Sequence, residues 1–563
     1  MRIWSLLFAK LLFALTVVLL AFNGETGASS FADEIHERIR NRIEMAGIPA
    51  RIIAGDDFLY AAYSLPLFYE RRGYFPAWIK SGGPNSNADS LIACLALAND
   101  EGLKGSDYHL DEIRTLYSSI RGKKFDKQKM YDRLIDLELL LTDAFMVYAT
   151  HLLRGKVNPK TIDPEWNANP RERDMPQLLE QALQQQSVRK TLCNILPQSE
   201  GYERLKSALK EYEDIARDGG WEKIPEGSSL MVGDRDDRVP ILRRHLFLTN
   251  DIRSAGRENA DLFDSTLYEA VRKFQIRHGL DIDGKIGPKT LDALNVPVEE
   301  RIQQIKINLE RWRWLPEDLG DPYIIINVAN FELDLIEDNH NILTMRAIVG
   351  RSYRRTPVFS DRITYLVLNP YWHVPQNIAV LDILPKIKSD PEYLTENGFR
   401  VFSDYGAESV ELDPLAINWD DVTRTNFKYR LRQDPGPKNL LGRIKFMFPN
   451  EYNVYLHDTP ARDLFQKSAR DFSSGCIRIE KPLLLAEYLL KSDESWNDEK
   501  LVEALKNNIE QTVVLKEKMP IHILYWTAWA TDDGTINFRN DIYGRDRALI
   551  DAMLERPPEP EGK

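Results

Sequence analysis

The sequence predicts a multidomain α+β protein with a helical N-terminal scaffold, a small three-helix unit and a mainly-β C-terminal half that carries an insertion. Three observations lead to this prediction. The chain has 563 residues, which exceeds one ordinary domain. Apolar residues recur at helical spacing from about residue 33 to residue 220. After residue 316 the pattern changes to short runs rich in β-branched and aromatic residues, which are typical of strands.

Composition narrows the class of protein further. Hydrophobic residues make up 43% of the chain and charged residues 28%, which is typical of a soluble globular protein. The formal net charge is -12 at pH 7. Since a surface that binds phosphate groups is expected to be basic, this charge argues against a nucleic-acid partner.

The first 32 residues have the features of an export segment. Arg2 and Lys10 precede a charge-free apolar run over residues 11–22, and the small residues that follow end in a small-x-small pattern. Residues 1–32 are therefore predicted to be either a cleaved signal peptide or, if the whole apolar stretch inserts, an uncleaved membrane anchor. The sequence leaves both alternatives open.

Residues 33–227 are predicted to form a helical scaffold domain. Within them, residues 131–153 have apolar side chains at three- and four-residue spacing and no internal Gly or Pro, which predicts a long helix. We find no catalytic pattern in this region. Gly, Pro and Ser become frequent around residues 219–229, which indicates a domain boundary.

A compact unit with three predicted helices follows at residues 236–297. Residues 270–280 read AVRKFQIRHGL, and residues 283–290 read DGKIGPKT, a glycine-punctuated loop that opens the third helix. These two stretches resemble the small peptidoglycan-binding domain that is common in bacterial wall enzymes. The resemblance implies that the unit targets the cell wall. A three-helix spacer without a ligand groove is the alternative, because a fold alone does not establish binding.

Residues 298–321 are predicted to be a helical linker, and residues 322–530 a mainly-β domain. The strand-like runs are YIIINV at 323–328 and FELDLI at 331–336, which predict a hairpin, and further runs at 345–349, 363–368, 453–456 and 521–525. Between residues 380 and 440 the strand pattern lapses, and this insertion is predicted to cap the candidate site. Residues 531–563 are predicted to form a C-terminal segment.

The chain has three cysteines, which is a low and odd number for an exported protein built on disulfides. Cys94 and Cys193 lie in apolar helical surroundings and are interpreted as buried small residues. Cys476 lies in the stretch SSGCIR at residues 473–478, about twenty residues after His457. A thiol attacks a carbonyl group as its thiolate, and histidine can take that proton near neutral pH.

Cys476 is thus the candidate nucleophile, and His457 is the candidate base. Gly475 lets the backbone approach closely, and successive N–H groups there are suited to binding an oxyanion. Arg478 shares a face with Cys476 if the segment is extended, where it is suited to holding a substrate carboxylate. Residue types alone leave two alternatives open: an inert buried cysteine, and a zinc site built from His457, Asp458 and Cys476. The zinc site lacks the short spacing of paired ligands.

From about residue 322 onward the sequence resembles the L,D-transpeptidase (YkuD-type) catalytic domain. The family pattern is a histidine on one strand followed by Ser/Thr-x-Gly-Cys-x-Arg, which matches His457, Ser473, Gly475, Cys476 and Arg478 here. Further stretches are similar to the large YcbB-like branch of this family: NPYWHVP at 369–375, QDPGP at 433–437, LGRIKFMFPN at 441–450 and HDTP at 457–460. That branch also joins a helical region, a peptidoglycan-binding unit and an insertion that caps the site.

A few positions depart from the commonest pattern of the family. The family usually has histidine where Ser474 stands and glycine where Asp458 stands, and both replacements fit the YcbB-like branch. The family also tends to place asparagine shortly after the arginine, where this chain has Ile479 and Glu480. No carboxamide role is therefore carried over to these positions.

The resemblance implies a cysteine acyltransferase that acts on peptidoglycan stem peptides without a metal or an organic cofactor. It implies that Cys476 is the nucleophile and His457 the general base and acid. It also implies that the N–H groups of Ser474, Gly475 and Cys476 and the Tyr455 hydroxyl bind the oxyanion. The carbonyl of Asp458 is implied to orient His457. The residues implied to contact the substrate are Arg478, Ser473, Trp372 and His373. Structural roles for Trp372 and His373 are the alternative. The expected location is the periplasm, with contacts to glycan and other wall-synthesis enzymes and, if the N-terminal segment is retained, anchoring in the inner membrane.

The implied reaction is the formation of 3→3 cross-links through a cysteine thioester with a tetrapeptide stem, with release of D-alanine. Three alternatives remain open at this point. In the first, an L,D-carboxypeptidase, water hydrolyses the same acyl-enzyme. In the second, a transferase that attaches a lipoprotein to the cell wall, a lysine of the lipoprotein attacks the acyl-enzyme. The shape of the groove and the exclusion of water decide between these acceptors. The third alternative is a non-catalytic wall-binding scaffold with an inert Cys476.

Overall fold

The computed structural model of the protein describes residues 31–47, 49–80, 83–122, 126–167, 171–254 and 260–557. The predicted export segment lies outside these ranges apart from its last two residues. Within the described ranges, every helix is too short or too polar to cross a membrane.

The N-terminal region is helical, as its periodicity predicts. Its helices are α1 (Phe31–Glu44), α2 (Ser64–Arg71), α3 (Ser86–Ala96), α4 (Leu110–Gly122), α5 (Lys127–Arg154), α6 (Pro159–Ile162), α7 (Met175–Gln184), α8 (Val188–Asn194) and α9 (Glu200–Arg217). Helix α5 is the centre of the region, because residues 137–149 are buried on every side. Asp126 caps this helix by accepting hydrogen bonds from the N–H groups of Gln128 (2.9 Å) and Lys129 (3.3 Å).

Short strands complete the helical region. They are β1 (Ile53–Ala54), β2 (Asp57–Phe58), β3 (Ile79–Lys80), β4 (Gly83–Pro84) and β5 (Trp166–Asn167). The first four form two antiparallel pairs, β1 with β2 and β3 with β4. Strand β5 instead leaves the helical region and joins the sheet of the C-terminal half.

The three-helix unit comprises α10 (Val239–Leu248), α11 (Ser265–Arg277) and α12 (Pro288–Leu294), which enclose an apolar core of their own. Gln275 fixes the glycine-punctuated loop, since its side chain accepts from the Gly284 N–H (2.8 Å) and donates to the carbonyl of Lys285 (3.0 Å). Gly284 has a φ of +69°, and a Cβ there would lie 2.1 Å from the Tyr268 ring. Only glycine fits this turn.

Helix α13 (Val298–Arg313) covers most of the predicted linker, but it is a core helix rather than a solvent-exposed one. Its C-terminal half is buried, including Arg311 and Arg313. Arg313 pairs with Glu310 (2.9 Å) and donates to the Tyr202 hydroxyl (2.9 Å) of α9. The helix predicted at residues 298–321 is therefore packed between the helical region and the β domain.

The C-terminal half is mainly β. Its strands are β6 (Tyr323–Asn327), β7 (Glu332–Glu337), β8 (His340–Ile348), β9 (Val358–Leu368), β10 (Trp372–His373), β11 (Phe399–Phe402), β12 (Glu411–Leu412), β13 (Arg430–Gln433), β14 (Ile444–Met447), β15 (Leu456–His457), β16 (Ile477–Ile479), β17 (Gln511–Leu524), β18 (Ala528–Ala530) and β19 (Ile536–Phe538). The main sheet has the order β14-β15-β16-β8-β7-β6-β17-β9-β5, and β14 also pairs with β9. This second pairing closes the sheet into a barrel-like ring. The predicted α+β fold class is confirmed.

The insertion has its own apolar core and a small antiparallel sheet, β10-β13-β11-β12. Its helices are α14 (Gln376–Ile378), α15 (Leu384–Ser389) and α16 (Tyr393–Glu396). The expectation that strands lapse between residues 380 and 440 was wrong, since β11, β12 and β13 lie there. These strands are two to four residues long, and charged residues stand in each of them (Arg400, Glu411, Arg430 and Arg432), so they show no apolar run.

The remaining helices are α17 (Pro482–Leu490), α18 (Asp498–Lys506) and α19 (Arg545–Leu554). Helix α19 packs back on α13, where Arg311 pairs with Asp546 (2.7 Å). Leu549 and Met553 of α19 join the same apolar core as the N-terminal helices and the main sheet. The two ends of the described chain thus share one core.

Candidate active site

The register of three strands places the candidate residues on one face of the sheet. His457 pairs with Lys445 of β14 and with Arg478 of β16. The β15–β16 pairing is parallel, so Tyr455 lies opposite Cys476, two residues before His457 and Arg478 respectively. Because paired residues and residues two apart share a face of a sheet, all five side chains project to the same side.

The Cys476 thiol lies in a partly buried position against the chain that enters β15. Its Sγ donates a hydrogen bond to the carbonyl of Asn453 (3.8 Å). Burial raises the pKa of the Cys476 thiol, whereas hydrogen bonds from the backbone and the hydroxyl of Tyr455 lower it. The charges of Lys445 and Arg478 also lower this pKa. Desolvation therefore keeps the resting group a thiol, and four neighbouring contacts stabilise the thiolate when it forms.

His457 is buried and is held by the residue that follows it. Its Nδ1 donates to the carbonyl oxygen of Asp458 (2.5 Å). A carbonyl oxygen can only accept, so this bond fixes the proton on Nδ1 and leaves the lone pair on Nε2. Burial, followed by the charge of Arg478, lowers the pKa of His457 to about 3, so the ring is neutral near pH 7. Among the described residues, no hydrogen bond joins His457 to the Cys476 sulfur.

Lys445 and Arg478 bring positive charge to the thiol. Lys445 Nζ lies 3.8 Å from the centroid of the Tyr455 ring. Burial lowers the pKa of Lys445, while the neighbouring Cys476 raises it. Arg478 has no carboxylate partner among the described residues, and its buried Nε has no acceptor there. Because neither cation forms an ion pair with a carboxylate among the described residues, the face favours a thiolate or a substrate carboxylate.

The turn before Cys476 is fixed by hydroxyl groups. Ser473 Oγ donates to the carbonyl of Cys476 (2.5 Å) and accepts from the N–H of Gly475 (3.1 Å). Thr356 Oγ1 donates to the carbonyl of Gly475 (2.8 Å). In this structure the Gly475 N–H, which is predicted to bind an oxyanion, donates to Ser473 Oγ. The N–H groups of Ser474 and Cys476 have no such acceptor among the described contacts.

Ser473, which is predicted to contact the substrate, is buried in this structure. Its side chain is 2% exposed and points into the turn, where it makes the two bonds above. Ser474 instead is exposed, and its Oγ accepts from Arg354 Nη1 (2.7 Å). Arg354 also pairs with Asp382 in the helical turn Ala379–Ile383 of the insertion. One arginine thus connects the insertion to the turn that carries the thiol.

The structure separates the two predicted substrate residues of the insertion. Trp372 is 6% exposed and packs in the insertion's core, with its ring centroid 6.0 Å from that of Phe399. Its ring therefore belongs to the apolar core of the insertion, and its contact with the substrate stays a prediction. His373 is exposed and pairs with Arg432 across β10 and β13. Although the residue as a whole is exposed, partial desolvation of the ring, followed by the charge of Arg430, lowers the pKa of His373.

Sequence reasoning missed three residues of this site: Lys445, Thr356 and Arg354. Lys445 carried a visible signal, because a lysine inside the apolar strand IKFM of β14 must project from one face of the sheet. Thr356 and Arg354 carried none. They lie about 120 residues before Ser474 and Gly475 and reach them only through the loop between β8 and β9.

Comparison with protein families agrees with this architecture. Residues 321–511 match the family described as the L,D-transpeptidase catalytic domain, residues 242–294 match one described as "Putative peptidoglycan binding domain", and residues 64–209 match a scaffold domain. The chain therefore carries an L,D-transpeptidase catalytic domain and a peptidoglycan-binding domain, joined to a helical scaffold.

Individual relatives point the same way. A protein of Haemophilus influenzae described as a "Putative L,D-transpeptidase" is 35% identical over 247 residues, which cover 44% of this chain and 49% of the relative. The chain thus spans about half the length of that curated relative.

Two solved structures were also compared. One is the crystal structure of residues 123–326 of an L,D-transpeptidase from Xylanimonas cellulosilytica, which is 13% identical and covers 53% of this chain and 98% of its own, with a TM-score of 0.17. The other is a fused Zn-dependent amidase/peptidase/peptidoglycan-binding protein from Clostridium acetobutylicum, which is 12% identical and covers 53% of this chain and 100% of its own, with a TM-score of 0.13. At these TM-scores, neither likeness bears on the fold.

Proposed function

We propose that the protein is an exported L,D-transpeptidase that forms 3→3 cross-links in peptidoglycan, with Cys476 as its nucleophile. The observation that carries this proposal is the register of β14, β15 and β16. This register brings a thiol, a neutral histidine with a fixed tautomer and two cations to one face. The matches to L,D-transpeptidase and peptidoglycan-binding families supply the substrate class.

In the acylation step, the thiol gives its proton to Nε2 of His457 as the sulfur attacks the carbonyl of the third stem residue, a diamino acid. The amide bond to the terminal D-alanine breaks, and the imidazolium returns the proton to the departing amine. The products are a thioester on Cys476 and free D-alanine. A His457 pKa of about 3 keeps the ring neutral near pH 7, which is the form that can accept the thiol proton.

The tetrahedral intermediate needs donors for its oxyanion. These donors are the N–H groups of Ser474 and Cys476 and the hydroxyl of Tyr455. The N–H of Gly475 is not among them, because it donates to Ser473 Oγ. Arg478, whose charge is unpaired among the described residues, binds a carboxylate of the stem peptide. The Asp458 carbonyl keeps His457 in the reactive tautomer throughout.

In the second step, the side-chain amine of another stem attacks the thioester carbonyl. The C–S bond breaks, the sulfur regains a proton, and a new amide bond joins the third residues of the two stems. The reaction neither consumes nor forms a redox equivalent and uses no cofactor. The three-helix unit holds the chain on the glycan, and the protein acts in the periplasm, where its N-terminal segment directs it.

The test is to incubate the full chain with a disaccharide-tetrapeptide and to read the products by mass spectrometry. We expect a dimer that has lost one D-alanine, and none from Cys476→Ala. Cys193→Ser is the matched control. The expectation that Cys193 is buried was wrong, since it is exposed on the helical scaffold, and its loss leaves the reaction unchanged. If tripeptide is the only product, the reaction is hydrolysis rather than transpeptidation. If a folded protein gives neither product, the enzymatic proposal is overturned.

A further inference from the structure

The turn over residues 473–476, which carries the thiol, rests on the loop between β8 and β9. The N–H of Ser473 donates to the carbonyl of Val349 (2.9 Å), and the carbonyl of Ser473 accepts from the N–H of Arg351 (3.1 Å). The backbone on both sides of Gly350 is thus paired with Ser473. The position of the thiol therefore depends on the conformation of residues 350–356, which we call the 350–356 loop.

One hydroxyl from outside this loop joins its two ends. The Tyr543 hydroxyl donates to the carbonyl of Gly350 (2.6 Å) and accepts from the N–H of Thr356 (3.1 Å). Thr356 is also the residue whose Oγ1 donates to the Gly475 carbonyl. In the part of the chain that the structure describes, no other hydrogen bond satisfies these two backbone groups of the loop. The Tyr543 hydroxyl therefore fixes the separation between the ends of the 350–356 loop.

Tyr543 is itself held on its ring and on its backbone. Its side chain is buried, and its ring stacks on that of Tyr525, with the centroids 5.5 Å apart and the planes at 18°. Its N–H donates to the Tyr525 hydroxyl (3.0 Å), which donates in turn to Asp541 (2.6 Å). The guanidinium carbon of Arg545 lies 5.0 Å from the centroid of the Tyr543 ring. A side chain fixed in this way cannot follow a loop that moves, so Tyr543 supports the loop and not the reverse.

The support begins outside the catalytic domain. Arg545 pairs with Asp163 and with Glu165 (3.3 Å), which lie between α6 and β5 of the helical region. Tyr543 and Arg545 both belong to the C-terminal segment, for which the sequence predicts no role. This segment thus lies between the helical region and the loop on which the catalytic turn rests.

We propose that Tyr543 is a positioning residue for Cys476. It acts through the 350–356 loop: its hydroxyl fixes Thr356, and Thr356 fixes the turn from which the thiol attacks the stem carbonyl. The proposal rests on the reaction proposed for Cys476 where turnover is the readout. The place of the thiol can also be measured without a substrate, because a sulfur displaced from the Tyr455 hydroxyl and the Lys445 charge reacts more slowly with an alkylating agent.

The test is Tyr543→Phe in the full chain, a change that removes one hydroxyl and keeps the stacked ring. We expect kcat for the release of D-alanine from a disaccharide-tetrapeptide to fall by about tenfold, because a small misplacement of a reacting group slows the chemical step. KM should stay within about threefold, since Arg478 remains paired in β16. The rate of alkylation of Cys476 by iodoacetamide near pH 7 should fall by about fivefold.

Tyr69→Phe is the matched control. Tyr69 is a fully buried tyrosine of α2, and its hydroxyl bonds Glu138 (2.9 Å) and Thr142 (2.7 Å), so the variant should also unfold at lower urea concentration. Its kcat and its alkylation rate should stay within about twofold of the unaltered protein, because these contacts lie in the helical scaffold. If the two phenylalanine variants slow Cys476 equally, or if Tyr543→Phe leaves its alkylation unchanged, the proposal is overturned.

A double variant tests whether Tyr543 acts through Thr356. If it does, Tyr543→Phe combined with Thr356→Val should alkylate within about twofold of Thr356→Val alone. Losses that multiply would show that Tyr543 acts elsewhere and would overturn the proposal. If the unaltered protein releases no D-alanine while Tyr543→Phe still slows alkylation, the reaction proposed for Cys476 fails and the positioning of its thiol by Tyr543 is supported.

Discussion

Lys445 and Tyr455 lie on neighbouring segments of the sheet, with the ammonium nitrogen 3.8 Å from the centroid of the aromatic ring. The hydroxyl of the same tyrosine hydrogen-bonds the Cys476 sulfur. The cation, the ring and the thiol therefore form a continuous row beside His457. This row allows the first prediction, which concerns the acidity of the thiol.

Replacing Lys445 by methionine should raise the pKa of the Cys476 thiol. The lysine charge favours the thiolate, so its removal moves the pH midpoint of alkylation upward. Near pH 7 the alkylation rate should fall by about tenfold. The measurement is the rate of reaction with iodoacetamide against pH, resolved for Cys476 by peptide mass spectrometry. Lys445→Arg keeps the charge and should keep the midpoint; an unchanged midpoint in Lys445→Met would contradict the assigned role.

Replacing Gly475 by alanine should strain the turn that carries the thiol. Its φ of +113° is a conformation that L side chains rarely adopt, while the nearest atom to a new Cβ would be the carbonyl oxygen of Arg355, at 3.6 Å. The cost is therefore conformational rather than steric, and we expect a loss of about 1–3 kcal/mol in the free energy of unfolding. Urea denaturation measures it.

The alkylation rate of Cys476 in Gly475→Ala should also fall, because relief of the strain displaces the thiol. Gly398→Ala is the control. Gly398 has a φ of +70° with nothing within 4 Å of a new Cβ, so the variant should lose stability without changing the reactivity of Cys476. Equal alkylation rates in the two variants would count against a special conformation at Gly475.

Replacing Thr356 by valine should destabilise the protein although the two side chains have the same shape. The threonine is fully buried, and its Oγ1 accepts from the Gly350 N–H (2.9 Å) and donates to the Gly475 carbonyl (2.8 Å). Valine leaves both backbone groups unpaired, which costs about 1–3 kcal/mol in the free energy of unfolding. The check is urea denaturation beside Thr356→Ser, which retains the hydroxyl. If valine and serine give equal stabilities, the hydroxyl does not hold this turn.

Replacing Arg354 by glutamine should loosen the insertion from the catalytic turn. Arg354 contacts both Asp382 and Ser474, and it is mostly buried. We expect amide exchange in residues 379–389 to become about fivefold faster, which corresponds to about 1 kcal/mol of lost coupling. Arg351→Gln is the control, since the Arg351 side chain donates to the exposed Tyr353 hydroxyl and its loss should change nothing in residues 379–389. If amide exchange in residues 379–389 is equally fast in the two variants, Arg354 does not link the insertion to the catalytic turn.

The fold could be predicted from the sequence where apolar spacing is regular. The C-terminal end of β17 was predicted because its residues 521–524 are buried, but the strand begins ten residues earlier, at Gln511. That earlier half was missed because it alternates into solvent and is rich in charge. The insertion was missed as a sheet for the same reason, since Arg400 and Arg432 interrupt its short strands.

The site could be predicted only as far as local sequence determines geometry. The hydrogen bond from His457 to the Asp458 carbonyl joins adjacent residues, and the family resemblance implies it. Its part in catalysis stays a proposal. The occupied N–H of Gly475 could not be foreseen, because it depends on the rotamer of Ser473. The place of Lys445 beside the thiol depends on the pairing of strands that are separated by a loop.

Strand β5 has a consequence for anyone who wishes to produce the catalytic half alone. One edge of β9 pairs with β17. The opposite edge pairs with β14 at residues 365–368 and with β5 at Val358 and Phe359. A shortened chain without the helical region would leave that second stretch as an open strand edge with buried apolar side chains. Open edges of this kind template aggregation between chains. Recombinant yield should therefore depend on keeping residues 166–167, which lie in a helical region with no part in the proposed chemistry.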